Sequence, residues 1–140
     1  MNRRVIGRGR LIAGAGGLVT LVACFLPWYT IGGEAGGLPA LSANAFDGAG
    51  IVVFVIAVAT LGLIALPFAA GDQPVALDRP ASFLVLAVVG LIGFAARVLQ
   101  LWSQDALGLP DRAPGLWLAG VGLLILLWGA VETTREGDRR

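Results

Sequence analysis

Charged residues divide the chain into four long uncharged stretches, which lie between Arg10 and Glu34, Asp47 and Asp72, Arg79 and Arg97, and Arg112 and Glu132. A helix needs roughly 17–25 apolar residues to cross about 30 Å of hydrocarbon. All four stretches suffice, the third only with residues beyond Arg97. Because hydrocarbon holds no water for backbone polar groups, apolar stretches of this length form helices. The pattern predicts spans near residues 11–29, 48–70, 80–102 and 115–131.

The composition supports a membrane protein. Of 140 residues, 57% are hydrophobic and 14% are charged, whereas an ordinary soluble domain has about 25% charged residues. A soluble globular domain and a disordered chain are therefore both excluded. The predicted fold is all-α: an integral membrane four-helix antiparallel bundle that forms a single domain over residues 1–140.

The arginines predict the orientation of the bundle. Positive residues concentrate in cytoplasmic segments, and eight of the ten basic residues lie on one side of the four-span arrangement. We therefore expect both termini to be cytoplasmic in a multi-pass protein of the bacterial plasma membrane. The opposite boundary is marked by aromatic residues typical of a membrane interface, namely Trp28, Tyr29, Trp102 and Trp117.

Missing residue types exclude several chemistries. The chain has no His, no Lys and one cysteine, which removes the usual general base, Schiff-base chemistry and paired-thiol redox or metal sites. The net charge of +1 gives no case for nucleic-acid binding. We expect no enzyme activity, no cofactor and no metal. The expected partners are the lipid bilayer and either another membrane protein or a second copy of the chain.

Arg97 is the one charged residue inside a predicted span, which makes it a candidate functional residue. It lies five residues before Trp102, close enough to the outer boundary for its guanidinium to reach the interface. This interpretation includes pairing with a carboxylate from the set Glu34, Asp47, Asp105 and Asp111. The alternative is an ion or substrate site that Arg97 shares with Gln100.

Cys24 has two interpretations. The run from Leu21 to Cys24 matches a bacterial lipobox and follows basic and apolar segments, so lipidation of the thiol is one hypothesis. However, Phe25 is a poor residue to follow a lipidated cysteine, and the apolar run continues to Tyr29. A buried thiol within the first helix is the favoured interpretation.

The first outer loop, residues 30–47, is the longest connection. Its glycines indicate flexibility in the first half, while residues 41–46 predict an interfacial turn or short helix in which Ser42 caps the second span. An outward binding surface is the alternative. Small residues spaced four apart favour close helix packing, at Ala13/Gly17, Ala65/Ala69 and Gly115/Ala119. Prolines are expected to end or kink the first two helices, at Pro27 and Pro67.

The run Phe25-Leu26-Pro27-Trp28-Tyr29, followed by a glycine-rich loop and then Leu41-Ser42-Ala43-Asn44-Ala45-Phe46, resembles a group of small, uncharacterised four-span actinobacterial membrane proteins. That group often has a Trp-acid pair where this chain has only Asn44. The resemblance covers the four-span layout and one outer loop, and it implies no known activity. Trp28 and Asn44 are the candidate interface residues of this loop.

The leading functional hypothesis is a non-enzymatic accessory, assembly or envelope component that acts through helix packing and its first outer loop. The alternative is a small transporter or channel subunit that uses Arg97 and Gln100.

Overall fold

The computed structural model describes residues 6–33, 37–71 and 80–138. Within them it has four helices, all long and apolar enough to cross a membrane, which confirms the predicted number of long apolar helices. The helices are α1 (Arg8–Phe25), α2 (Gly50–Ala69), α3 (Pro80–Ser103) and α4 (Pro114–Asp138). Two short strands, β1 (Tyr29–Ile31) and β2 (Leu41–Ala43), lie between α1 and α2.

The helices form an antiparallel ring in which α1 packs against α2 and α4, and α3 packs against the same two helices. Close approaches give the directions: Gly9 near the start of α1 lies beside Thr133 near the end of α4, and Gly93 of α3 lies beside Val52 of α2. Each helix therefore runs opposite to its neighbours. We call the end that holds residues 26–33, 37–49 and 104–113 the hairpin end, and the other the terminal end.

The contact between α1 and α4 is made by glycines spaced seven residues apart. A Cβ at Gly9 would lie 2.5 Å from the Thr133 backbone nitrogen, and one at Gly122 would lie 2.8 Å from that of Thr20. Gly16 and Gly129 approach the opposite backbone in the same way. A seven-residue period keeps one face of a helix against an antiparallel neighbour. The pairs Ala13/Gly17 and Gly115/Ala119 are also buried, whereas Ala65 and Ala69 are exposed.

At the terminal end a carboxylate holds the start of α1. Glu136 of α4 accepts a hydrogen bond from the Gly9 backbone N–H through Oε1, at 3.2 Å. Backbone N–H groups in the first turn of a helix have no partner within the helix. The end of α4 thus supplies the cap that the start of α1 lacks, since no side chain caps α1 locally.

The threonine hydroxyls inside the bundle are satisfied within their own helices. The hydroxyls of Thr20, Thr60 and Thr133 are buried, and each donates to the carbonyl four residues earlier, at 2.8 Å. This bond leaves a hydroxyl with no need for water or for a partner on another helix. These three threonines therefore require no polar contact between helices.

The outward faces of the helices carry large apolar side chains. On α1 and α4 these exposed residues recur at spacings of three, four or seven positions, at Leu11, Leu18, Val22 and Phe25, and at Trp117, Val121, Leu124 and Trp128. Apolar surface of this extent is unusual on a soluble monomer. Such a surface suits contact with lipid tails, because hydrocarbon offers no partner for polar side chains.

The C-terminal ends of α1 and α4 differ from those predicted. Helix α1 ends at Phe25, four residues before the predicted end, because Leu26 precedes Pro27 and adopts an extended conformation with ψ of 159°. Helix α2 passes through Pro67 and ends at Ala69, so this proline does not stop the helix. Helix α4 continues past residue 131 to Asp138.

The first loop contains a β-hairpin, which the sequence did not predict. Strands β1 and β2 pair antiparallel with Tyr29 opposite Ala43 and Ile31 opposite Leu41. The predicted turn or short helix over residues 41–46 is wrong in its first half, because the backbone there pairs with β1. Ser42 lies opposite Thr30 and does not cap α2, whose N-cap residue is Ala49 and which has no side-chain cap.

Candidate functional site

Arg97 lies on the inward face of α3 near the hairpin end, with its side chain 6% exposed. Its guanidinium is therefore largely covered by protein. Two segments meet it: the start of β1 brings Tyr29, and the turn before α2 brings Asp47 and Gly48. On α3 itself, Gln100 lies one helical turn away. We call these five residues the Arg97 cluster.

Within the Arg97 cluster, Asp47 is hydrogen-bonded to Tyr29 and not to Arg97. Nη1 of Arg97 donates to Oε1 of Gln100 at 3.3 Å, while Nη2 lies 3.9 Å from Oδ2 of Asp47. The second distance is too long for a hydrogen bond. The hydroxyl of Tyr29 donates to the same Oδ2 at 2.6 Å, so the carboxylate is held mainly by tyrosine. Nε of Arg97 is buried and has no hydrogen-bond partner in the part of the chain that the structure describes.

The tyrosine ring also faces the guanidinium. Cζ of Arg97 lies 5.5 Å from the centroid of the Tyr29 ring, within range of a cation–π interaction. The hydrogen bond to Asp47, followed by burial and the carboxylate charge, raises the pKa of Tyr29 above its usual value, and the nearby guanidinium offsets part of that effect. The phenol is therefore held in its protonated, donating form.

Gly48 brings the start of α2 against the guanidinium. It has a φ of +84°, a conformation that favours glycine. A Cβ at this position would lie 2.6 Å from Nη1 of Arg97 and 3.3 Å from Oε1 of Gln100. Helix α2 begins two residues later with no side-chain cap and no acidic residue in its first turn. Tyr29 and Gly48 were not predicted as members of this site. For Gly48, its position between an acidic residue and the start of a helix was the available signal.

The structure brings together part of the predicted site. Arg97 contacts Gln100 and, of the four carboxylates considered, faces Asp47. In the part of the chain that the structure describes, neither Asp105 nor Asp111 forms an ion pair with Arg97. Glu34 lies outside the described residues. The site thus depends on contacts between α3 and the segment that leads into α2.

Trp28 is a core residue and not part of an exposed aromatic belt, which corrects that expectation. Its side chain is fully buried, its Nε1 donates to the Ala23 carbonyl at 2.9 Å, and its ring packs edge-to-face with Phe94 at 6.0 Å. A buried indole needs a partner for its N–H, and the last turn of α1 supplies it. Trp102 and Trp117 are exposed.

Asn44 and Cys24 stabilise the same end of the bundle. Asn44 is half-buried, and its Oδ1 accepts from the Phe46 N–H at 3.2 Å, a local bond typical of an Asx turn. Cys24 is fully buried in the apolar core, and its backbone carbonyl accepts from the Ala45 N–H at 3.3 Å. The lipidation hypothesis stays a prediction.

The hairpin and the residues before it are fixed to the end of the α3–α4 connection and to the first turn of α4. Oγ1 of Thr30 donates to the Arg112 carbonyl at 2.9 Å, and the Gly115 N–H donates to the Pro27 carbonyl at 2.9 Å. Over the described residues 29–33 and 37–43, the loop exposes three large apolar side chains, which we call the hairpin tip: Ile31, Leu38 and Leu41. The tip is thus an apolar surface on a fixed support.

Among the described residues, no group of three or more His, Cys, Asp or Glu side chains could hold a metal ion. No protein family, curated protein or solved structure matches this chain. The resemblance to actinobacterial four-span proteins therefore stays a prediction, and any function is argued from the geometry of the hairpin end.

Proposed function

We propose that this chain is a non-enzymatic, multi-pass protein of the bacterial plasma membrane that serves as an accessory, assembly or envelope component. It acts by contact, through its packed helices and its first outer loop. In the described residues the bundle interior is apolar apart from three threonines and Arg97, which favours a structural role. The absence of His and Lys from the whole chain supports a role without catalysis.

The observation that carries the proposal is the hairpin tip. Leu38 is 74% exposed, and Ile31 and Leu41 lie opposite each other on the paired strands. Large apolar side chains outside the membrane-spanning helices favour binding when they cluster. A fixed hairpin also loses little conformational entropy on association. The proposed partner is an apolar surface of another membrane protein or of a second copy.

The orientation is part of the proposal. Eight of ten arginines lie with the termini or with the connection between the second and third helices, and such segments stay cytoplasmic. The hairpin end then faces away from the cytoplasm. A partner of the tip would accordingly present its own binding surface at the outer face of the membrane.

Site-specific photocrosslinking in cells tests the proposal. A photoreactive residue replaces Leu38 in the tip or, as the control, Leu109 in the connection between α3 and α4, which is similarly exposed at 71%. We expect a discrete protein adduct from position 38 that is absent from position 109 and is lost when Ile31→Ser and Leu41→Ser are added. Equal labelling from both positions, or labelling of lipid alone, would contradict the proposal.

The second candidate function is that of a small transporter or channel subunit. A buried charge within a membrane-spanning helix favours it. Arg97 is such a charge, and it donates to Gln100 at the hairpin end of the bundle. Anion flux into liposomes that contain the protein tests it. Flux that Arg97→Met abolishes, in a protein that still folds, would favour transport over the structural role.

A further inference from the structure

The guanidinium of Arg97 has fewer acceptors than donors. An arginine carries five N–H donors. Among the described residues, Nη1 donates to Gln100, Nε has no hydrogen-bond partner, and Nη2 lies 3.9 Å from the facing carboxylate. A buried charged donor that lacks an acceptor retains its full desolvation cost. The site therefore has unpaired N–H donors that a negatively charged acceptor would satisfy.

The start of α2 adds a second positive feature at the same place. A helix N-terminus carries about half a positive charge and presents free N–H groups. Helix α2 has 20 residues and no side-chain cap or first-turn acid. The backbone at Gly48, two residues before it, lies against Nη1 of Arg97. The guanidinium and the helix start therefore act on the same small region.

Asp47 compensates the positive charge of Arg97 and of the α2 N-terminus only in part. Its side chain is 61% exposed, and Oδ2 is already taken by the short bond from Tyr29. Since water solvates an exposed carboxylate, its attraction for Arg97 is weak. An external anion would compete with Asp47 for the guanidinium but would not have to displace Asp47 from Tyr29.

We propose that Arg97, Gln100 and the start of α2 bind a phosphate group. A guanidinium matches phosphate oxygens with paired N–H donors. Gln100, whose side chain is exposed, turns its amide so that the NH₂ group donates to the phosphate. The site lies where membrane-crossing helices end, so the phosphate comes either from a lipid headgroup or from solution. This inference is independent of whether the hairpin tip binds a partner.

The test measures thermal unfolding of the purified full-length protein in mild detergent. The added probes are short-chain phosphatidylglycerol, inorganic phosphate and a short-chain diacylglycerol that lacks phosphate. Each is titrated against the wild type and against Arg97→Met, Asp47→Asn and Arg112→Gln. The last variant removes an arginine from the same end of the bundle and controls for general charge attraction.

We expect a phosphate-bearing probe to raise the unfolding temperature of the wild type, and diacylglycerol not to. Arg97→Met should weaken the apparent Kd about tenfold or more, since hydrogen bonds to charged groups are lost. Arg112→Gln should leave it unchanged. Asp47→Asn should tighten binding, because it removes the competing carboxylate.

A response to phosphatidylglycerol alone supports the site and assigns the phosphate to lipid; a response to inorganic phosphate, with or without lipid, supports it and assigns a soluble ion. The inference is overturned if no probe stabilises the wild type, or if Arg112→Gln loses as much affinity as Arg97→Met. Should Arg97→Met fail to fold, Asp47→Asn decides, and an unchanged Kd in that variant rejects the site. Crosslinking from Leu38 is unaffected by any of these outcomes.

Discussion

Tyr29 and Asp47 are joined by a 2.6 Å hydrogen bond in which the phenol donates to Oδ2, and this bond connects the first strand to the turn that enters α2. The bond requires a protonated phenol, and it raises the pKa of Tyr29. Its contribution is therefore complete below the pKa of an unfolded tyrosine, about 10, and disappears as the pH rises through the higher pKa of the folded state.

The first prediction concerns that bond. At neutral pH, Tyr29→Phe should lower the free energy of unfolding by about 1 kcal/mol or less, because the carboxylate is largely solvated. The difference between the two proteins should vanish at strongly alkaline pH. Thermal unfolding in detergent over a pH series measures both values. A difference that persists unchanged above the folded-state pKa would contradict this account.

The second prediction concerns the α1–α4 contact. Gly122→Ala places a methyl group against the Thr20 backbone and should destabilise the bundle by about 1–3 kcal/mol. Gly62→Ala is the control: apart from its chain neighbours and the adjacent backbone of α2, no described atom lies within 4 Å of its added Cβ, and the change should stabilise α2 by about 0.5–1 kcal/mol. Unfolding in mixed detergents measures both. Equal effects in the two variants would show that glycine propensity, not close packing, decides the outcome.

The third prediction separates charge from packing at Arg97. Arg97→Met should change the free energy of unfolding by no more than about 1 kcal/mol, because Asp47 stays solvated and no buried carboxylate is left unpaired. Leu101→Ala, one turn further along α3 and fully buried, should cost about 2–5 kcal/mol. A loss from Arg97→Met as large as that from Leu101→Ala would show that the ion pair stabilises the fold.

The fourth prediction concerns orientation. Because the arginines concentrate at the terminal end, reporter fusions at Asp138 should read as cytoplasmic and fusions within residues 32–37 as external. A cytoplasmic signal from the hairpin would invert the proposed topology while leaving the four-helix fold intact.

The fifth prediction concerns Cys24. Its side chain is fully buried, so a maleimide should label the native protein slowly and the detergent-unfolded protein quickly. The intact mass should be near 14.4 kDa. A processed chain that begins at Cys24 and carries added acyl mass would instead establish lipidation.

The helices could be predicted and the site only in part, for a physical reason. Hydrocarbon imposes long apolar helices on any chain that crosses it, so the four spans follow from local composition. The hairpin has strands of three residues each, too short for a periodic signal, and its pairing depends on contacts across the loop. The same holds for Tyr29 and Gly48, whose proximity to Arg97 requires three separate segments to meet.

The glycines of the α1–α4 contact were a signal that could have been read. Gly9 and Gly16, like Gly122 and Gly129, are seven residues apart in the sequence. The prediction used spacings of four residues and not this period of seven. It therefore placed Ala65 and Ala69 in a helix contact that the described bundle does not make. Trp28 could not be separated from Trp102 by sequence, because burial of an indole depends on the packing around it, which for Trp28 comes from Phe94 and the last turn of α1.

The pairing of α1 with α4 has a consequence for biogenesis. The two helices are the most distant in this sequence, and the start of one is capped by Glu136 of the other. During synthesis α1 enters the membrane with its glycine face uncovered and stays so until α4 has emerged. Closure of the ring is therefore a late step set by long-range contacts.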